Sequence, residues 1–107
     1  MLASGEPERL YTGLSVLVSR AVDGERCLAL ATFGALESLL ALPMGRDERF
    51  DRSFAELVAT ARELPALELY ACAASVDLLG IGGEPLGGVM STPRFLREAR
   101  GAELIFV

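Results

Sequence analysis

Short apolar runs alternate with longer amphipathic stretches along this chain. Residues 26–33 and 67–71 are apolar runs of strand length, as expected for strands that are covered on both faces. The stretches 7–22 and 50–64 instead place apolar residues at helical spacing. Strands that alternate with helices form parallel sheets through crossover connections. We therefore expect a single α/β domain over residues 1–107: a three-layer α/β/α fold with a mainly parallel sheet of about five strands.

The remaining elements are predicted to be short. Further strands are expected at residues 1–3, 89–91 and 102–107, and further helices at 35–42, 73–79 and 92–100. Short polar side chains cap helices by accepting hydrogen bonds from the first amides. Asp51 or Ser53 is the expected cap of the second long helix. Ser91 or Thr92 is the expected cap of the last one. The polar, turn-rich run 43–52 is the expected mobile loop.

The composition excludes several kinds of site. The chain has ten Arg, no Lys, no His and a net charge of −5. The arginines are scattered, whereas a nucleic-acid surface needs clustered positive charge. Without His there is no Ser-His or Cys-His catalysis, and two Cys alone do not complete a four-ligand zinc site. Without Lys, the glycine-rich run 80–88 is not a P-loop. We expect no nucleic-acid partner, no metal and no cofactor.

Targeting and membrane segments are also not predicted. No apolar run reaches the roughly 18 residues that span a bilayer. The N-terminal residues lack a basic region followed by an apolar stretch, which is the pattern of a signal peptide. The sequence therefore predicts a cytoplasmic protein without a membrane span.

The predicted sheet indicates where a functional site lies. In parallel α/β sheets, ligands and reactive groups collect at the carboxyl ends of the strands. Four places fall there: Ser4-Gly5, Phe33-Gly34, Cys72-Ala73 and Met90-Ser91.

Cys72 is the candidate nucleophile among these places. It lies where the predicted strand 67–71 gives way to a helix, and amides at a helix start favour a thiolate over a thiol. Its neighbours are small, which predicts a reachable sulfur. A buried structural role remains open, because free Cys is among the most buried residue types. Ser75 follows in a Cys-x-x-Ser spacing. Its hydroxyl can bond the sulfur, but a routine place at the helix start is favoured.

Cys27 is predicted to be a core residue. It lies near the start of its strand, at the opposite edge of the sheet from Cys72. A disulfide needs Cα atoms within about 7 Å of each other, so no bridge between the two cysteines is expected.

The ordered motifs resemble those of one known family. They are "LYACAASVDLLGI" at 69–81, "GGVMSTPRFLREA" at 87–99 and the terminal apolar segment, together with "SGEPERLYTGL" at 4–14 and "LALATFGAL" at 28–36. Over nearly the whole chain, this set resembles the DsrE/DsrF-like family, which includes the TusD-type sulfur-relay proteins.

The resemblance implies a compact α/β/α domain that forms homo- or hetero-oligomers and carries persulfide sulfur on one cysteine. By position that cysteine is Cys72. The expected partners are a sulfur donor protein and a sulfur acceptor protein. The backbone N–H groups of Ala73, Ala74 and Ser75 are expected to hold the bound anion, as helix starts do.

Two other functions remain open. In the first, the chain is a non-catalytic interaction subunit in which Cys72 is buried and structural. In the second, it is a regulator that binds a small ligand in the strand-end cleft near Ser4, Phe33 and Met90. A homo-oligomer is expected with either main function, because 51% of the residues are hydrophobic and monomers rarely expose large apolar patches.

Overall fold

The computed structural model describes residues 1–41, 46–81 and 86–103. Within these ranges the chain forms five helices and three strands. In order they are α1 (Pro7–Val22), β1 (Cys27–Ala31), α2 (Phe33–Leu40), α3 (Glu48–Glu63), β2 (Leu67–Cys72), α4 (Ala73–Leu79), β3 (Val89–Met90) and α5 (Thr92–Glu98).

The three strands form one parallel sheet in the order β1-β2-β3. Cys27 pairs with Leu67 at the start of β1, and Cys72 pairs with Met90 at the end of β2. The expectation of an α/β fold with a parallel sheet is therefore confirmed. The expected first strand is reduced to a single parallel bridge from Leu2 to Ala31.

The predicted last strand falls mostly beyond the described part of the chain. Residues 104–107 lie outside the described residues. Ala102 and Glu103, which begin the predicted strand, are described and are not in a strand.

The two faces of the sheet belong to separate apolar clusters. Side chains alternate between the faces along each strand. One cluster contains Ala29 and Leu69 together with the buried residues of α1, α2 and α3. The other consists of Leu30, Cys72, Met90, Phe95 and Ala99. Cys72 therefore points to the face on which α5 packs.

The cap of α3 differs from the predicted one. The side chain of Asp47 accepts a hydrogen bond from the Phe50 amide at 2.8 Å, and α3 begins directly after Asp47. The prediction of Asp51 or Ser53 was wrong because both residues lie inside the helix. The Ser53 hydroxyl is hydrogen-bonded to the Tyr11 hydroxyl instead, at 2.7 Å. The helix thus starts within the run 43–52 that was predicted as a loop, of which residues 43–45 lie outside the described residues.

The other element ends also shift by a few residues. Thr32 is the N-cap of α2, so β1 stops earlier than predicted and the helix starts earlier. Ser91 is the N-cap of α5, and its hydroxyl accepts a hydrogen bond from the Arg94 amide at 3.3 Å. This confirms the first of the two predicted caps. The helix α5 ends at Glu98, two residues before the predicted end.

None of the helices in the described ranges is long and apolar enough to cross a membrane.

We predict that Phe54 is a main contributor to the stability of the core. Its side chain is fully buried in the cluster that joins α3 to α1 and the sheet. Changing Phe54→Ala should lower the free energy of unfolding by about 3–5 kcal/mol, as measured by urea denaturation. The matched control is Leu78→Ala, because Leu78 is 73% exposed and its truncation should change stability by about 0.5 kcal/mol or less. Similar losses from both variants would contradict this packing.

Candidate functional site

Cys72 lies at the junction of β2 and α4. It is the last residue of the central strand and the N-cap of α4, with an extended backbone at φ −65° and ψ 125°. The small residues Ala73 and Ala74 allow the helix to begin at once. The predicted place of Cys72 at a strand-to-helix junction is therefore what the structure shows.

Thr92, the first residue of α5, lies next to the Cys72 sulfur. Since Met90 pairs with Cys72, the first residue of α5 follows just beyond this pair. The Thr92 hydroxyl oxygen is 3.7 Å from the Cys72 sulfur. From the sequence, Thr92 was predicted only as one of two possible caps of the last helix. The adjacent Ser91 supplies that cap, which leaves the Thr92 hydroxyl for another partner.

Ser75 joins the first turn of α4 to the start of α2. Its side chain is fully buried, and its hydroxyl oxygen accepts a hydrogen bond from the Phe33 amide at 3.1 Å. Ser75 lies in the first turn of α4, as predicted, but its burial and its bond to α2 were not predicted. A buried hydroxyl needs hydrogen-bond partners, and this one links two of the four predicted strand-end places.

Phe33 has an unusual backbone conformation for its residue type. Its φ is +32°, in the region where side chains other than Gly are disfavoured by steric contact with the backbone. The residue is 46% exposed. Non-Gly residues in this region carry strain and occur often at functional sites. In this protein the strained residue donates the amide that holds Ser75.

The first two strand ends also meet at this edge. A Cβ atom on Gly5 would lie 2.7 Å from the Gly34 carbonyl oxygen, so the close approach of these backbones requires glycine at position 5. The four predicted places thus lie along one edge of the sheet. Gly5 contacts Gly34, the Phe33 amide reaches Ser75, and Cys72 adjoins Thr92.

Opposing effects act on the acidity of Cys72. Burial raises the pKa of the thiol, but the Ser75 amide, the hydroxyls of Ser75 and Thr92 and the Ala74 amide together outweigh burial and leave the pKa below its ordinary value. The sulfur lies outside the geometry of an ordinary capping hydrogen bond. The amides of Ser75 and Ala74 nevertheless favour the thiolate, because their N–H groups are donors close to the sulfur. Of the three predicted amides, those of Ala74 and Ser75 influence the sulfur, whereas Ala73 is not among the groups that lower its pKa.

The sulfur is less accessible than the sequence predicted. Only 4% of the Cys72 surface is exposed. The small residues that follow it do not open the site, because the side chain points instead into the cluster of Leu30, Met90 and Phe95. The prediction of a reachable sulfur was therefore wrong for the single chain in this structure.

Tyr70 lies two residues before Cys72, and its hydroxyl has a different partner. It donates a hydrogen bond to one Glu68 oxygen at 2.7 Å, while the Arg26 guanidinium contacts the other oxygen at 3.1 Å. This bond raises the pKa of Tyr70, and it lowers the pKa of Glu68 with help from Arg26. The single hydroxyl hydrogen of Tyr70 is therefore directed to Glu68 rather than to the sulfur.

Cys27 is a core residue, as predicted. It is the first residue of β1, it is 8% exposed, and its thiol lies near the carbonyl oxygens of Glu25 at 3.5 Å and Leu17 at 3.8 Å. Burial raises the pKa of this thiol, and the Glu25 carboxylate raises it further. Both cysteines are free. Cys27 pairs with Leu67, five residues before Cys72 in β2, which corresponds to about 16 Å along the strands.

A cavity lies at the amino-terminal edge of the sheet, where β1 begins. Its volume is about 620 Å³. Residues of α1, the start of β1 and the end of α5 line it, among them Arg20, Cys27 and Ala99. The ligand-binding alternative predicted a cleft at the opposite edge, near Ser4, Phe33 and Met90. Within the part of the chain that the structure describes, no group of three or more Cys, Asp and Glu residues is placed to hold a metal ion.

Comparison of the sequence with models of known protein families gives no match. Comparison with curated proteins gives no significant match either. The resemblance to the DsrE/DsrF-like family therefore stays a prediction that rests on the motifs themselves.

Proposed function

We propose that this protein is a small sulfur carrier, similar to a sulfurtransferase, that accepts and passes persulfide sulfur on Cys72. The observation that carries the proposal is the environment of this thiol. Cys72 is 4% exposed, yet hydrogen-bond donors from two elements leave its pKa below the ordinary value. A buried structural thiol without such donors has a raised pKa.

The proposed reaction has two steps. In the first, the Cys72 thiolate attacks the outer sulfur of a donor persulfide, R–S–SH. A new S–S bond forms on Cys72, the S–S bond of the donor breaks, and the donor leaves as the thiolate RS⁻. In the second, an acceptor thiolate attacks the outer sulfur of the Cys72 persulfide, and Cys72 leaves as a thiolate. Neither step requires an oxidant, a reductant or a histidine.

The bound anion needs hydrogen-bond donors. The amides at the start of α4, those of Ala73, Ala74 and Ser75, are proposed to hold it. The lowered pKa of Cys72 supports this role for Ala74 and Ser75. For Ala73 the support is only its position as the first residue of α4.

The wider context is proposed from the sequence motifs. A DsrE-like protein would complete a three-layer domain with about five strands and would work in the cytoplasm between a donor protein and an acceptor protein. The parallel sheet, with apolar clusters on both of its faces, is compatible with that architecture.

The carrier function predicts persulfide loading of the folded protein at one thiol. After incubation with glutathione persulfide, mass spectrometry should find the added mass of one sulfur atom on the peptide that contains Cys72. The adduct should persist in Cys27→Ala and disappear in Cys72→Ala. Loading that survives in Cys72→Ala, or a folded wild type that loads at neither thiol, would contradict the carrier function.

The alternative function is a non-catalytic interaction subunit. The low exposure of Cys72 favours it, because a thiol at 4% exposure also fits a structural role. In addition, several large apolar side chains are exposed, as an interaction surface requires. They are Val16, Val22, Phe33, Leu40, Leu78, Val89 and Leu96. A folded protein that takes up no sulfur would favour this function.

Self-association is proposed with either function. The exposed apolar side chains lie on several elements of one small chain, and burying them against a second copy would remove apolar surface from water. Light scattering at micromolar concentration should give a mass at least twice that of one chain. A monomer mass over the whole concentration range would contradict the proposed oligomer.

A further inference from the structure

We propose that Thr92 is a positioning residue for the Cys72 sulfur, and that the Ser75 hydroxyl acts on the same sulfur. This inference rests on the proposed sulfur transfer for its purpose. Its geometry stands independently of that function.

Thr92 is placed by the register of the sheet. The pairing of Cys72 with Met90 brings the start of α5 next to the end of β2. Because Ser91 caps α5, the Thr92 hydroxyl is not needed for the helix, and it lies 3.7 Å from the sulfur. A hydroxyl can donate one hydrogen bond, and a thiolate accepts it more strongly than a thiol does.

The Ser75 side chain is held by the start of α2. Its oxygen accepts the hydrogen bond from the Phe33 amide, which leaves the single hydroxyl hydrogen to be donated elsewhere. The side chain is fully buried, so this hydrogen needs a partner within the protein. The Ser75 hydroxyl is one of the groups that favour the charged form of Cys72. Phe33 donates this hydrogen bond from a strained backbone conformation, at φ +32°.

Both hydroxyls should have opposite effects on the rates of the two steps of sulfur transfer. Donors that stabilise a thiolate make it a weaker nucleophile but a better leaving group. Thr92 and Ser75 should therefore slow the intrinsic attack of Cys72 on a donor persulfide, while they speed the departure of Cys72 when the acceptor attacks. They suit a protein whose slow step is release of the sulfur.

The test starts from Cys27→Ala, which leaves Cys72 as the single thiol. The ultraviolet absorbance of the thiolate is followed against pH in Thr92→Val, which removes the hydroxyl at similar volume, and in Thr92→Ser, which retains it. Thr92→Val should raise the titration midpoint by about one pH unit, and Thr92→Ser should stay near the parent. Ser75→Ala should also raise it. Circular dichroism checks that each variant is folded, and Thr92→Ala replaces any Thr92→Val protein that is not.

A second measurement separates positioning from structural support. At a pH above both midpoints, loading from glutathione persulfide should be about threefold faster in Thr92→Val, whereas release to glutathione should be slower than in the parent. Changes in the same direction in both steps would contradict the positioning role, as would an unchanged titration midpoint. The titration uses no sulfur donor. A shifted midpoint without persulfide loading would therefore contradict the proposed function and support the positioning role. Persulfide loading with an unchanged midpoint would support the proposed function and contradict the positioning role.

Discussion

The parallel pairing of β2 with strands on both sides is the constraint on which the candidate site depends. It places the ends of β1, β2 and β3 at one edge of the sheet, so that residues far apart in sequence become neighbours. Phe33 and Ser75 are 42 positions apart, and Cys72 and Thr92 are 20 apart. A shift of one residue in the β2–β3 register would turn side chains to the opposite face and would separate the Thr92 hydroxyl from the sulfur.

The two cysteines show how local polarity decides the state of a buried thiol. Both are less than one tenth exposed, so burial alone would raise both pKa values. The Cys27 thiol lies near the carbonyl oxygens of Glu25 and Leu17, which accept hydrogen bonds and therefore favour the protonated form. Cys72 lies among amides and hydroxyls, which donate them and favour the thiolate. The groups that surround each thiol, rather than its exposed fraction, distinguish the candidate reactive thiol from the core thiol.

The elements of the fold could be predicted more fully than the site. Apolar runs and helical spacing were enough for the main helices, the two long strands and the strand-to-helix junction at Cys72, because these depend on local periodicity. Thr92 was missed because its contact with Cys72 depends on which strands pair and in which register. The burial of Ser75 was not predicted because it comes from the packing of α2 against α4. The exposure of Cys72 was overestimated because small neighbours in sequence do not determine what covers a side chain in space. Asp47 was missed as a cap because the start of α3 falls within a polar run in which several residues are suitable.

The most direct test of this account compares the acidity of Cys72 in the folded and the unfolded chain. In Cys27→Ala, the thiolate absorbance should reach its midpoint at a lower pH in the native protein than in the same protein unfolded in urea. In Cys72→Ala, which retains Cys27, the order should be reversed, because burial and the Glu25 carboxylate raise the pKa of that thiol. A native midpoint for Cys72 at or above its unfolded value would show that the donors at the sheet edge do not hold a thiolate, and this would contradict the account.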